Sequence, residues 1–218
     1  MRVVSVNVGQ ERAIRHGKPS GKTGIYKLPT TGPVRVTSLG LVGDAIVDTE
    51  HHGGLDQAVY LFTMPDYAWW SAHLGRALGP GTFGENLTLS DLESATLRVG
   101  DRLRVGATTL EITAARIPCV SLAARMGDPQ FVKKFRRAER PGMYCRVIDA
   151  GLIAVNDPVE LISYRGAATV SVLESFRCFY KKELTAEELR RFLAVPIPEK
   201  ERPRYEVLLA RAAAAAAE

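Results

Sequence analysis

Hydrophobic and polar residues alternate, with glycine breaking the pattern every few positions, through most of the first 165 of 218 residues. Successive side chains of a strand point to opposite faces, so a period of two commits this stretch to half-buried strands. "VVSVNV" carries the pattern, as does "VRVTSLGLVGD" after the turn signal "TTGP". "LRVGDRLRVGATTLEITAARI" is the clearest hairpin-like run, with turns expected at "GD" and "GAT". "GMYCRVIDAGLIAVNDPVELISY" repeats the texture, with "DAG" expected to join two strands. "DQAVYLFT" reads as a buried strand, and "MPDYAWWSAHLGRAL" after it has helical spacing. Pro65 stands near that helix's start, Gly79 past its end, and Trp69 and Trp70 supply core and rim. Many short strands with few helices between them predict a mainly β chain. The expected form is a closed or nearly closed β-barrel, not strand–helix–strand units.

After "SYRGAAT" the texture changes to three short helices, in "VSVLESFRCFYKKE", "TAEELRRFLAV" and "ERPRYEVLLARAAAAAA". Thr185 followed three residues later by Glu188 is a capping box. The expected organisation is a β-barrel domain over residues 1–165 and a three-helix extension over 166–218. The extension buries too little to stand alone. It is expected to carry none of the cofactor-site residues. It either covers a barrel edge and builds a subunit or electron-donor interface, or completes the barrel's core.

No apolar run approaches the roughly 18 residues of a membrane helix, and "MRVVSVNVGQ" alternates like a strand, unlike a signal peptide. Three cysteines is too few and too odd a number for a disulfide framework, which points to the reducing cytoplasm. The formal charge of +5 suits an anionic ligand. Its basic residues are scattered, which argues against nucleic acid as a partner.

Three stretches are dense in chemistry. In "GKPSGKTGIYK" only three residues separate Gly17 from Gly21, so the nucleotide phosphate loop is excluded. Lys22, Thr23 and Gly24 still offer a cation, a hydroxyl and open backbone N–H groups, as an anion cradle or as a plain surface loop. In "DTEHHGGLDQA" the adjacent His51 and His52 are a poor pair for one metal. Gly53 and Gly54 permit close backbone approach, and Asp56 can orient an imidazole or a ligand; a simple turn is the other reading. In "GTFGENLTL", Phe83, Glu85 and Asn86 mark a ligand contact or a β-bend. Alternation puts Cys145 on the face opposite Arg146 and into the core, and Cys178 reads as packing. Cys119, behind Arg116 and Pro118 in "ARIPCVSLAAR", alone has a cationic setting suited to a thiolate; a packing role stays open.

Taken in order, "GKTGIYK", "GLVGD", "HHGG", "DQAVY", "FGENLT", "VGDRLRVG", "RIPC" and "GMYCRVIDAG" closely resemble the MOSC domain family, and within it the bacterial YiiM-like branch with its three-helix extension. The resemblance spans roughly residues 20–160. It implies a β-barrel-like fold, a molybdenum cofactor (molybdopterin), and reduction of N-hydroxylated compounds such as 6-hydroxylaminopurine. Cys119 matches the family's cysteine and is implied as the metal ligand; a molybdenum–dithiolene centre is soft enough to accept a thiolate. On that resemblance, Lys22, Thr23 and Gly24 cradle the cofactor phosphate with Arg116 or Arg146. Gly53, Gly54, Asp56, Phe83, Glu85 and Asn86 face the pterin, and His51 or His52 protonates the departing hydroxyl. No flavin, haem or iron–sulfur signature is visible, so electrons are expected from a separate donor protein; a homodimer is compatible. The alternatives are a sulfur or cofactor carrier using a Cys119 persulfide, and an anion-binding module without chemistry.

Overall fold

The computed structural model describes residues 1–14, 21–49 and 52–215. In chain order the strands are β1 (Val3–Gly9), β2 (Arg12–Ala13), β3 (Lys22–Thr23), β4 (Lys27–Pro29), β5 (Val34–Thr37), β6 (Gly40–Leu41), β7 (Val59–Thr63), β8 (Leu87–Leu89), β9 (Arg102–Val105), β10 (Thr108–Ala115), β11 (Met143–Asp149), β12 (Gly151–Ile153) and β13 (Val159–Ile162). The helices are α1 (Met64–Leu74), α2 (Val120–Met126), α3 (Phe131–Ala138), α4 (Val172–Phe179), α5 (Ala186–Leu193) and α6 (Arg202–Ala215).

Eight strands form one sheet in the order β13-β9-β10-β11-β7-β8-β1-β4. This corrects the expectation of a closed barrel, because the outer strands β13 and β4 do not pair. β4 is only three residues long and ends at Pro29, which has no N–H to extend a ladder. The sheet still curls: Arg2 bridges Pro158, and the Val3 amide donates to the Asp157 carbonyl at 3.0 Å, so the start of β1 meets the entry to β13. A second sheet has the order β12-β5-β6. The "DAG" turn does join β11 to β12, but β12 pairs with β5, not with the strand before it.

A strand–helix–strand unit is present despite the expectation. β7 and β8 are parallel neighbours, and α1 makes the crossover that parallel strands need. Thr63 caps α1, its Oγ1 accepting from the Asp66 amide at 3.4 Å; Gly75, at φ 62°, ends it four residues before Gly79. Six helices are found among the described residues. α1 forms where helical spacing predicts it, whereas α2 and α3 lie in the mainly β stretch with no helix expected there. α2 and α3 are inserted between β10 and β11, which nonetheless pair, with Ile112 opposite Cys145.

The main core holds Trp70, Phe83, Phe131 and Phe135, and α4 adds Val172 and Phe176 to it. The Phe176 ring lies 6.3 Å from Phe135, so the core runs across the boundary expected at residue 165. Backbone bonds from Val99 to Val170 (2.9 Å) and from Val172 to Leu97 (2.7 Å) sew the entry of α4 to the sheet domain. A smaller cluster of Val99, Val170, Cys178, Phe192, Val195 and Ile197 seats α5 and the following turn. The capping box of α5 forms in both directions between Thr185 and Glu188. Among the described residues no helix is long and apolar enough to cross a membrane.

Candidate functional site

β10 ends at Ala115, and the chain then runs through Arg116, Ile117 and Pro118 to Cys119, which caps α2. The turn from strand to helix leaves the Arg116 side chain inside the protein and Cys119 only partly covered. Arg116 is anchored by Nη1, which donates to the Phe83 carbonyl at 2.8 Å, and its guanidinium lies 4.8 Å from the centre of the Tyr60 ring. Tyr60 is fixed in turn by its hydroxyl, which donates to the Pro141 carbonyl at 2.9 Å.

Burial opposes ionisation of the Cys119 thiol. A hydrogen bond from His52, the charge of Arg116 and the Leu122 amide outweigh it, and the pKa falls from 9.0 to about 5. Cys119 is therefore a thiolate at neutral pH. His52 Nδ1 lies 3.4 Å from the Tyr144 hydroxyl, which burial keeps protonated. Cys145 shows the opposite behaviour: it is fully buried in β11 without a cation, and burial pushes its thiol well up. The core reading of Cys145 and the thiolate reading of Cys119 thus rest on one physical contrast.

Opposite Cys119 a buried network closes a narrow niche. Asp44 Oδ1 accepts from the Gly9 amide at 2.8 Å, and Oδ2 accepts from Lys27 Nζ and from Asn86 Nδ2, the latter at 2.8 Å. Asn86 Oδ1 accepts from the Tyr60 amide at 3.1 Å. Burial pulls the Lys27 pKa down, with Asp44 offsetting part of that. The niche has a volume of about 80 Å³, with Thr23, Gly24, Gly53, Asn86, Arg116 and Cys119 among its walls. It opens past Asp48, His52, Gln57, Cys119 and Tyr144 into a cavity of about 1190 Å³. Gln57 Oε1, Ser121 Oγ and Arg116 Nε are buried around this junction with no hydrogen-bond partner among the described residues. Buried polar atoms rarely go unpaired, so three at one place mark capacity that a ligand can satisfy.

The structure thus brings Thr23, Gly24, His52, Gly53, Asn86, Arg116 and Cys119 together. Gly24 has a structural reason to be glycine as well: a Cβ there would stand 1.8 Å from the Ala45 carbonyl oxygen. The other expected site residues lie elsewhere. Lys22 is on the surface, 2.5 Å from Glu11, and Lys27 provides the niche cation instead. Phe83 is core, stacked on Phe62 at 4.3 Å, and reaches the site only through its carbonyl. Glu85 is wholly buried, its Oε1 accepting from Tyr67 Oη (2.6 Å), the Gly81 amide (2.6 Å) and Thr88 Oγ1 (2.8 Å). That network folds the "FGENLT" bend and does not reach the niche. Gly54 starts the short turn Leu55–Gln57 and lines neither space. His51 lies outside the described residues.

Asp56 and Arg146 form a staple. Asp56 Oδ1 is 2.8 Å from Arg146 Nη2, which also donates to the carbonyls of Pro196 (3.2 Å) and Ile197 (3.0 Å). Asp56 Oδ2 accepts from the Glu199 amide at 2.7 Å. Together they hold the segment between α5 and α6 against the sheet. That segment and its helices line the large cavity through Phe192, Ile197, Pro198 and Tyr205, and the end of α4 adds Phe179. The C-terminal helices line this larger cavity, while no residue after Tyr144 lines the niche. Lys27, Asp44, Tyr60 and Tyr144 were not singled out in the sequence, although each sits in a stretch that was: "GKTGIYK", "GLVGD", "DQAVY" and "GMYCRVIDAG".

Residues 48–160 match the MOSC domain family. The chain is 33% identical to the uncharacterized protein YflK of Bacillus subtilis, over 85% of each sequence. It is 30% identical to a protein named reductase from Gibberella moniliformis over 68% of this chain, but only 28% of that longer protein. The fold is shared with the crystal structure of YiiM from Geobacillus stearothermophilus, at TM-score 0.76, 25% identity and coverage of 95% of this chain and 98% of that one.

Proposed function

The chain belongs to the MOSC domain family, a molybdenum cofactor-binding family, and on that footing we propose that it is a molybdenum cofactor-dependent oxidoreductase for N-hydroxylated compounds such as 6-hydroxylaminopurine. One observation carries the reading: the Cys119 thiolate stands where a niche with unsatisfied buried polar atoms opens into a chamber of small-molecule size. The niche alone, at about 80 Å³, is too small for a pterin, so the residues of the larger cavity would also have to hold part of it. Cys119 would hold the metal through sulfur, and Arg116, Ser121, Gln57, Thr23 and Lys27 would supply donors and acceptors to the organic part. When bound, the cofactor supplies a metal centre that passes electrons in pairs. The reaction consumes two electrons and two protons, converting R–NH–OH to R–NH₂ and water, with the electrons drawn from a separate donor protein.

The chain's own residues do the rest. Arg116 and His52 keep the Cys119 sulfur ionised, and Tyr144 orients the His52 ring at Nδ1. His52 borders both spaces, a place from which its imidazole can protonate the departing hydroxyl. A chamber of this size beside the thiolate favours a reductase over a persulfide carrier, which has no need of one.

The test is molybdenum and pterin content of the purified protein, together with reduction of 6-hydroxylaminopurine by a chemical reductant. The expected result is stoichiometric metal and turnover to adenine, with Cys119→Ser folded but inactive. Full activity in Cys119→Ser would overturn the assignment.

A further inference from the structure

We infer that the helical wall of the large cavity is an anion subsite, and that the substrates it selects carry a phosphate group on the N-hydroxylated base. This deepens the reductase reading and rests on it: the preferred substrates become nucleotides, with the free base bound more weakly.

Five cations from three separate elements line this wall. Lys181 and Lys182 follow α4, Lys200 lies in the turn Glu199–Glu201, and Arg204 and Arg211 belong to α6. Arg204 and Arg211, seven positions apart, share one helical face. Three acids, Asp48, Glu183 and Glu201, line the same cavity, leaving a positive balance. Two of the cations are engaged: Lys181 pairs with Glu188, and Arg204 lies 3.7 Å from Glu201. Lys182, Lys200 and Arg211 make no ion pair among the described residues, although each borders the cavity. Three such cations around one concavity raise the local concentration of anions and reward a ligand that brings one.

The cofactor's own phosphate does not account for them. The niche has its own cations in Lys27 and Arg116, and no residue after Tyr144 lines it. The two cation sets therefore sit on different walls, one contributed by the sheet domain and one by the C-terminal helices. The same helical wall presents Phe179, 56% exposed at the end of α4, and Tyr205, flat faces on which a planar base can stack. Aromatic faces beside uncommitted cations fit a molecule that is planar at one end and anionic at the other.

The proposal is tested by equilibrium binding of adenosine 5′-monophosphate and of adenosine to the cofactor-loaded protein, read by calorimetry without turnover. The monophosphate should bind about tenfold tighter at low salt, as one charge-assisted contact provides, and lose most of that advantage at high ionic strength. Lys182→Glu/Lys200→Glu, at exposed positions, should abolish the preference while leaving adenosine affinity and molybdenum and pterin content unchanged. Equal affinities in the wild type would overturn the subsite. So would loss of pterin in the double variant, which would assign these cations to the cofactor. Neither outcome touches the reductase reading, whose failure shows separately in missing metal or missing turnover of 6-hydroxylaminopurine.

Discussion

The niche behind Cys119 and the helical wall in front of it are secured in different ways. In the niche, Asp44 satisfies three donors at once, from Gly9, Lys27 and Asn86, and Asn86 in turn holds the backbone of β7. Every partner stands on or beside the large sheet and is shielded from water. The wall is tied by more exposed contacts, among them those of Arg146 and Asp56 to residues 196–199 and of Arg191 to Thr169 and Glu174, and by a small cluster around Phe192. Groups that must hold a thiolate in place sit on the rigid frame, where each lost bond leaves another buried group stranded. Groups that meet a substrate from the open side sit on the C-terminal helices, of which α4 packs into the main core while α5 rests on the smaller cluster.

The largest test of this contrast removes the wall. Truncation after Gly166 takes away Val172 and Phe176 together with α5 and α6. Loss of one buried phenylalanine alone costs about 3–5 kcal/mol, so the remaining chain should be insoluble and without cofactor. A soluble truncated protein that binds molybdenum would show that α4 is dispensable and that the boundary at residue 165 is real.

Asp44→Ala is the next largest effect. It leaves the Lys27 ammonium buried and unpaired, at a cost of roughly 3–5 kcal/mol, which thermal or urea unfolding will show as a large loss of stability. A small change would mean that water reaches Lys27 and that the niche is not dry.

Asp56→Ala breaks the staple. About 1.5 kcal/mol is expected from a charged hydrogen-bonded pair that is mostly shielded. The effect should be local: faster amide exchange over residues 196–215, with the sheet unchanged. Uniform acceleration across the protein would place the staple in the frame instead of the wall.

Lys22→Ala should do least, because its partner Glu11 is as exposed as it is. Cofactor occupancy after dialysis should match the wild type; a fall would return the "GKTG" loop to the phosphate site.

These outcomes follow lines that were unequally visible in the sequence. Period-two alternation located β1, β9, β10 and β11, because each has a face against the core, and a continuous apolar run located the wholly buried β7. Capping chemistry is local, so Thr185 and Glu188 were legible at once. The parallel pairing of β7 with β8 was not, since nothing in either strand records which neighbour lies beside it. Cys119 and Arg116 were readable because a proline and a cation stand next to the thiol in the chain. Lys27 and Asp44 meet across a fold, 17 residues apart, and a lone lysine in "YKLP" looks like any exposed strand residue. Glu85 and Asp56 misled for the same reason: a carboxylate beside glycines looks like a ligand contact until its donors, Tyr67 in one case and Arg146 in the other, are in view.

The central claim is that the Cys119 sulfur is bound to the metal. X-ray absorption at the molybdenum edge, on wild type and on Cys119→Ser loaded with the same cofactor, measures this directly. One sulfur fewer in the metal's first coordination shell of the variant is the predicted result. An identical sulfur shell in both proteins would contradict it and leave Cys119 as a thiolate beside the site with no bond to its metal.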